Sequence, residues 1–464
     1  MATTLMGELV DDLFAGHPGD LPYLVHARDS VSRAALDAAS ADEAAVFRAC
    51  DIGEGSTVLL QIPPSCTQVE ALLALWRLGA QVLLVDHRLT ATEVDTLRRL
   101  CRPQFMVRGG TAGRSVLGFR ERYELITTRY PGGEPAGSAH RLVQFSSGST
   151  GVPKVIGRTP ESIAAELRRF AAIPGMSVRG ERVLLLSSTA HSFGLIAGLL
   201  HSLAAGVTLV FTPRVSARDI LSAAAENQVA ALFGTPFHYE LVATAGTAPP
   251  LPALRVAVSG GELMAPEVSD AFRERFGVGI GESYGTTETG VIAMDTAPTH
   301  RPSVGPPAPG VEVRIAGGEL EVHLPDGSPY LHGSGDDRYA GGWLRTRDRA
   351  EIAADGTVTL LGRGDSLVVV GGLKVDLLEV EDVLRAHPGI TEAVVVHTGT
   401  IEAYVAVSPG GPSTVEILRW CRDRLAAFKL PKLAHVLPAL PRTANGKLVR
   451  HAAALRAAEP APTR

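Results

Sequence analysis

The chain has 464 residues, 45% of them hydrophobic, and a formal net charge of −5. That length carries two to four domains with sizeable cores. Mild negative charge spread along the chain argues against a nucleic-acid-binding surface. Residues 1–12 lack a basic segment and carry Glu8, Asp11 and Asp12, so they do not read as a signal peptide. Apolar β-type runs recur at Thr57–Gln61, 81–85, 183–186, 207–211, 229–233 and 255–258, with helical patterns between them such as 67–78 and 220–227. Continuous apolar strands alternating with helices predict parallel sheets covered on both faces. The most apolar stretch, 195–211, is broken by His201 and Ser202 and reads as a buried helix-to-strand unit, not a membrane span. From Val311 the texture changes to short strands (311–315, 319–324, 342–345, 358–361), predicting a small antiparallel or barrel-like unit. After Asp365 the pattern is strand (Leu367–Val370), helix (377–386), two strands (393–397, 403–407) and helix (415–428). Residues 458–464 form a Pro/Ala tail expected to fray. Cys50, Cys66, Cys101 and Cys421 are scattered, without a CxxC pair, and read as reduced structural thiols in a cytosolic protein.

The segment Gln144-Phe145-Ser146-Ser147-Gly148-Ser149-Thr150-Gly151-Val152-Pro153-Lys154 is the most informative. Small residues let backbone N–H groups approach an anion, hydroxyls add donors, and Lys154 adds a point charge. This is phosphate-handling chemistry. It is not the Walker pattern, because no Gly-Lys-Ser/Thr follows the glycines. A mobile Ser/Gly-rich loop is the plainer reading of this segment by itself.

Four further segments follow in order. Gly281-Glu282-Ser283-Tyr284-Gly285-Thr286-Thr287-Glu288-Thr289-Gly290 is a second Gly/Thr loop with one aromatic and an acid. Gly342-Trp343-Leu344-Arg345-Thr346-Arg347-Asp348 ends in an acid. Gly362-Arg363-Gly364-Asp365 precedes Gly371-Gly372-Leu373-Lys374-Val375 and Glu379-Val380-Glu381. Pro441-Arg442-Thr443-Ala444-Asn445-Gly446-Lys447 stands near the C-terminus. Together, from about Gly53 to Arg450, these resemble the adenylate-forming superfamily: acyl- and aryl-CoA synthetases, peptide-synthetase adenylation domains and luciferase.

The resemblance implies an α/β fold. A large N-terminal domain (1–363) would hold two parallel-sheet subdomains and a small β-barrel-like unit. A small mobile α+β domain (364–464) would rotate about a hinge at Asp365. It implies ATP and Mg²⁺ as cofactors. Ser146, Ser147, Gly148, Ser149, Thr150, Gly151 and Lys154 would cradle the β- and γ-phosphates. Thr286, Thr287 and Glu288 would sit at the α-phosphate, Glu288 binding the metal. Tyr284 and Gly285 would lie at the adenine, and Gly260, Gly261 and Glu262 would let the nucleotide approach the backbone. Asp348 and Arg363 match the ribose-binding pair; taken singly, each reads as a surface ion-pair partner. The family often has glycine immediately before this acid, where this chain has Arg347, so the local turn is expected to differ. Lys447 would bridge the substrate carboxylate and the α-phosphate. Gly371, Gly372 and Lys374 would line a tunnel for a pantetheine arm.

For the acid, the segment Thr189-Ala190-His191-Ser192-Phe193-Gly194 matches the opening of the acyl pocket. His191, Phe193, Gly194, Phe237, Gly261 and Val291 are candidate pocket residues, His191 also a candidate catalytic residue as a gate or a hydrogen-bond partner of the carboxylate; the plain alternative is a structural histidine for His191 and core packing for the others. Amino-acid-activating members usually carry an aspartate in this segment, and none stands between Thr189 and Gly194. A buried ammonium without a counter-charge is costly, so an acyl or aryl acid is expected. Were an amino acid the substrate, Glu262 or Glu282 would be its ammonium's partner. The expected activity is an acid–thiol ligase that forms acyl-AMP and then a thioester on CoA or a carrier protein in trans. An amino-acid-type enzyme loading a carrier protein and a silent nucleotide-binding scaffold are the alternatives. Neither nucleic acid nor membrane is an expected partner, and a cytoplasmic location is expected.

Overall fold

The computed structural model describes residues 4–27, 29–89, 91–110, 119, 122–146, 153–298, 301–333, 336–363, 367–370, 373–425, 427–443 and 446–458. The chain divides into two compact units: Met1–Arg314 with Glu321–Leu344 and Ile352–Thr359, and Ile315–Leu320 with Arg345–Glu351 and Leu360–Arg464. The expected site residues 147–151, Asp365, Gly371 and Gly372 lie outside the described residues, as do the side chains of Ser146, Arg363 and Lys374.

The first unit is built on two sheets. One has eight strands, six of them parallel in the order Ile280–Thr286, Val256–Gly260, Ala231–Gly234, Arg182–Leu185, Thr208–Phe211 and Pro22–His26. Antiparallel strands Gly290–Met294 and Asp29–Ser32 close its edges. The other has seven strands around the parallel set Leu142–Ser146, Gln81–Leu84, Thr57–Gln61 and Phe105–Gly109. The hairpin to Lys154–Arg158 and the short strand Tyr330–Leu331 extend it antiparallel.

Successive residues on a strand face opposite sides, and this sorts the cores. Val58, Leu60, Val82 and Leu84 share one cluster with Val183, Leu185, Leu209 and Val258, between the sheets. Leu59, Leu83, Met106 and Val143 turn outward onto the helix Ala91–Cys101. Leu184, Val210, Leu232 and Ala257 turn outward beneath the helices Ala217–Glu226, Pro236–Ala243 and Pro266–Phe276. Strands buried on both faces need apolar residues at every position, which is why they read as continuous runs. The helix Cys66–Arg77 is buried all round. Its N-cap Ser65 accepts from the Gln68 N–H at 3.0 Å, satisfying a donor that no water could reach.

The stretch expected as a helix-to-strand unit is a π-helix, Phe193–Leu200, then a short helix His201–Ala205 and the strand Thr208–Phe211. Among the described residues, no helix is long and apolar enough to cross a membrane. The texture change at Val311 corresponds to a five-stranded sheet (Val313–Ala316, Glu319–His323, Trp343–Ile352, Tyr339–Ala340, Val358–Arg363). Within it Trp343–Ile352 pairs with three of the other strands.

The second unit contains the hairpin Leu367–Val370/Leu373–Asp376 and a three-stranded sheet of Ile390–His397, Ile401–Val407 and Leu433–Leu437. Helices Leu377–Arg385 and Thr414–Arg422 pack on its core. The last strand, parallel to its neighbour, was not in the sequence reading: its burial runs exposed, half-buried and only Leu437 buried.

Candidate functional site

In open parallel sheets, ligands bind beyond the carboxyl ends of the strands. The first unit's candidate residues fall there. Leu142–Ser146 runs into the phosphate segment, Arg182–Leu185 leads to 189–194, and Ala231–Gly234 leads to Phe237. Val256–Gly260 ends at Gly260, and Ile280–Thr286 carries Tyr284 to Thr286.

Glu288 is buried. The Tyr330 hydroxyl donates to its Oε1 at 2.8 Å, and Arg338 Nη1 donates to the same oxygen at 3.3 Å. Burial and the adjoining Glu288 carboxylate push the Tyr330 hydroxyl far above its usual range, so it remains a donor. The Lys154 ammonium lies 6.0 Å from the Tyr330 ring centroid, a cation–π distance. Lys154 and Glu288 are thus gathered around one tyrosine, which sequence reading did not find, nor Arg338. No local pattern marks them: Tyr330 reaches the site by pairing with Ile156, 174 positions earlier in the chain. Among the described residues, Tyr330 and Arg338 both use Oε1 and leave Oε2 of a buried carboxylate for another partner. A Mg²⁺ ion takes one or two carboxylates and keeps several waters, so Glu288 fits such an ion.

The loop around Glu288 is braced. Thr286 Oγ1 and Thr289 Oγ1 lie 3.0 Å apart, and the Thr289 hydroxyl donates to the Gly290 carbonyl at 2.9 Å. Thr287 is half-buried. A Cβ on Gly285 would come within 2.4 Å of the Gly290 carbonyl oxygen. Gly290 itself has φ +71°, and its missing Cβ would stand 2.2 Å from the Glu166 carboxylate. Glu166 accepts from the Val291 N–H at 3.0 Å and pairs with Arg158 at 2.8 Å, both side chains nearly fully buried. Arg158 ends the strand that Lys154 begins. One buried ion pair therefore ties the phosphate hairpin to the Glu288 loop. Neither partner was singled out from the sequence.

The segment 189–194 is held by distant side chains. Gln144 donates to the Ala190 carbonyl at 2.7 Å and accepts from the Ser192 hydroxyl at 2.8 Å. The Thr189 hydroxyl donates to Gln68. His191 Nε2 lies 3.4 Å from Asp86 Oδ2. Phe193 stacks on Phe233, centroids 5.9 Å apart. A Cβ on Gly260 would meet the Phe193 ring at 3.0 Å, so the space at Gly260 is occupied by this aromatic side chain. Gly194 permits a close backbone contact, since a Cβ would lie 2.2 Å from the Ser188 carbonyl oxygen. Val291 is buried, Phe237 is 41% exposed, and Tyr284 is half-buried. Gly261, at φ +98°, and Glu262 are exposed. Glu282 is buried, accepts from the Met264 N–H at 3.4 Å and lies 3.4 Å from Arg301. Burial pushes its carboxyl up to about 7 against the opposing pull of Arg301.

In the second unit, Asp348 is buried on the strand Trp343–Ile352. Its N–H donates to Thr346 Oγ1 at 3.1 Å, and Thr346 donates to the Leu320 carbonyl at 2.8 Å. Arg347 has φ +63°. That left-handed conformation is the one glycine adopts without strain. Arg347 adopts it at a cost of about 1 kcal/mol, its N–H donating to Glu319. Lys447 closes a turn in which the Thr443 N–H donates to the Lys447 carbonyl at 2.7 Å and the Gly446 N–H to the Thr443 carbonyl at 2.9 Å. Arg442 pairs with Glu392 on one side of the turn. On the other, Arg450 donates to Glu381, which is fully buried and also accepts from the Val395 N–H at 2.9 Å. These clamps, too, were not anticipated.

Residues 11–334 match the AMP-binding enzyme family, and residues 379–447 match the AMP-binding enzyme C-terminal domain. The chain belongs to the AMP-binding enzymes. This AMP-binding enzyme is 27% identical to the 3-hydroxybenzoate--CoA/4-hydroxybenzoate--CoA ligase of Thauera aromatica, over 96% of this chain and 95% of that protein. It is 27% identical to the probable CoA ligase CCL9 of Humulus lupulus, over 88% of each. It is 33% identical to the phosphinothricin tripeptide synthetase PhsC of Streptomyces viridochromogenes, over 67% of this chain but only 31% of that protein. Among solved structures, the O-succinylbenzoate Coenzyme A synthetase of Bacillus subtilis in complex with AMP superposes with a TM-score of 0.80 at 23% identity, covering 97% of both chains. ATP-bound MatB from Rhodopseudomonas palustris gives 0.81 at 21% identity, covering 95% of this chain and 97% of that one. Both share the fold.

Proposed function

We propose that this AMP-binding enzyme is an acid–thiol ligase for an acyl or aryl carboxylic acid. In the first half-reaction a carboxylate oxygen attacks the α-phosphorus of ATP, the bond to pyrophosphate breaks, and acyl-AMP forms. In the second, a thiol sulfur attacks the acyl carbon, AMP leaves, and the thiol proton is lost to solvent. The observation that carries the reading is the cluster of Lys154, Tyr330, Arg338 and Glu288 beside the phosphate segment. Its two cations suit a polyphosphate whose charge grows as pyrophosphate leaves. The bound Mg²⁺ would supply charge neutralisation, with Glu288 as its ligand. Thr286 and Thr287 are assigned to the α-phosphate, Tyr284 to the adenine, and Asp348 with Arg363 to the ribose. Lys447 is assigned to the adenylation step, and Gly371, Gly372 and Lys374 to the thiol arm. Asp365 is assigned to the hinge between the two half-reactions.

For the acid, support comes from His191 and Phe193 without an acid between Thr189 and Gly194, and from relatives whose names specify benzoate and hydroxybenzoates. The thiol is CoA by analogy with the same relatives. The likeness to a peptide synthetase favours, as a second reading, a carrier-bound phosphopantetheine.

ATP–pyrophosphate exchange with a panel of aryl, acyl and α-amino acids tests this. Exchange with an aryl or acyl acid and none with amino acids is expected. A best substrate among the amino acids would overturn the pocket argument, and exchange with none would overturn the ligase reading. Thioester assays with CoA and a carrier protein then separate the thiols. Lys447→Ala should abolish exchange while sparing thioester formation from supplied acyl-AMP. Equal losses in both would refute a role confined to adenylation.

A further inference from the structure

We propose that Asp86 is a positioning residue that orients His191 for the carboxylic acid, acting through the imidazole and not on the substrate. The inference rests on the ligase reading above. Asp86 lies two residues beyond the strand Gln81–Leu84, whose parallel neighbour Leu142–Ser146 runs into the phosphate segment. It therefore stands at the ligand-binding edge of the sheet, with a side chain only 3% exposed.

Among the described residues, the polar contacts of Asp86 are all with basic side chains or a backbone N–H. Arg88 gives Nε at 2.8 Å, Nη2 at 2.7 Å and its backbone N–H at 2.9 Å. His87 Nδ1 is 3.5 Å from Oδ1, and His191 Nε2 is 3.4 Å from Oδ2. Burial pushes the carboxyl up, but the hydrogen bonds from His191 and Arg88 outweigh it and hold the group far below the usual carboxylate range. It is an anion at neutral pH. An anionic acceptor at Nε2 selects the Nε2-protonated tautomer and fixes the ring plane, leaving Nδ1 for a substrate.

The backbone is fixed too. The His191 N–H donates to the Ser188 carbonyl at 3.2 Å, the Leu195 N–H donates to the His191 carbonyl at 2.8 Å, and Ser192 is tied to Gln144. His191 remains one-third exposed. A ring held at backbone and Nε2, yet partly open, is poised for a ligand. Arg88 and the histidines already saturate Asp86, so this acid does not offer an ammonium group a partner. It thereby supports the preference for an uncharged acyl or aryl chain.

The test uses the acid giving the fastest wild-type exchange. Asp86→Asn should raise the KM for that acid or lower kcat by about ten-fold or more, with the ATP KM within about two-fold. In a His191→Ala background Asp86→Asn should add nothing further. Additive losses, or a parallel rise in both KM values with a lower melting temperature, would make Asp86 structural and overturn the proposal. Should Asp86→Asn fail to fold, His191→Gln decides: its amide can still donate to Asp86, so it should retain more activity than His191→Ala, and equal loss overturns the reading. If the wild type exchanges with no acid, the ligase reading fails by itself. Nitrogen-15 spectra then decide the Asp86 contact: His191 should be Nε2-protonated in the wild type, and any other tautomer refutes it.

Discussion

Glu288 shows what a single residue's surroundings add to its motif. From the sequence it is a metal ligand. In the fold it is also the counter-charge of Arg338, and both side chains are buried. Glu288→Gln keeps an acceptor for Tyr330 and Arg338 but removes the charge. Exchange should fall on the order of 10²-fold or more, and stability by roughly 1–3 kcal/mol, because a buried guanidinium loses its counter-ion. Exchange assays and thermal melts check both; near-normal turnover would make Glu288 a structural acid. Lysine usage carries a related lesson. Only five lysines stand among 44 basic residues, and Lys154, Lys374 and Lys447 lie in motifs. A chain that elsewhere prefers arginine keeps lysine where a compact ammonium is wanted and a planar fork is not interchangeable with it.

Among the elements, the loop from Thr286 to Gly290 depends on the helix Pro160–Ala172 through Glu166. Gly290 and Gly277 share φ +71°, but a Cβ on Gly277 would meet nothing within 4 Å, while one on Gly290 would strike Glu166. Gly277→Ala should cost about 1 kcal/mol, the strain of a left-handed alanine. Gly290→Ala should cost roughly 3 kcal/mol or more, because Glu166 must also leave Val291 or Arg158, and exchange should fall with it. Equal melting temperatures for the two variants would show that the Glu166 contact is not constraining. The glycine was visible in the sequence as part of a Gly/Thr loop. Its reason was not, since Glu166 lies 124 positions away. Likewise the π-helix Phe193–Leu200 was legible only as an apolar stretch, because a one-residue change in helical register leaves no mark in hydrophobicity.

For the whole molecule, buried titratable groups set a pH dependence of stability. Burial pushes His201 and His238 down to about 4. Their folded values lie below the unfolded value, so above pH 6.5 they contribute nothing. As pH falls from 6.5 to 4 the unfolded chain gains protons that the folded chain refuses, costing on the order of 3 kcal/mol each. Glu282 works in the opposite sense. With its carboxyl raised to about 7, its contribution is full below its unfolded value and is lost as pH rises through 7. Between pH 7.5 and 5 the melting temperature of His201→Leu should therefore fall less than that of the wild type, and that of Glu282→Gln should fall more. Identical slopes in all three would show these groups to be solvated.

The sequence by itself determined the α/β class, the parallel strands and the order of the motifs. Each of these depends on local composition: continuous apolar runs for strands buried on both faces, and small, hydroxyl or charged residues where a phosphate is held. Only the tertiary structure decided which side chains support those motifs. Tyr330 and Arg338 at Glu288, Arg158 and Glu166 at Gly290, Gln144 and Asp86 at 189–194, and Glu381 at the Lys447 turn all arrive from other elements. A polar group buried by the fold must find its partner wherever the chain brings one, and nothing in the spacing of residues along the sequence records where that is.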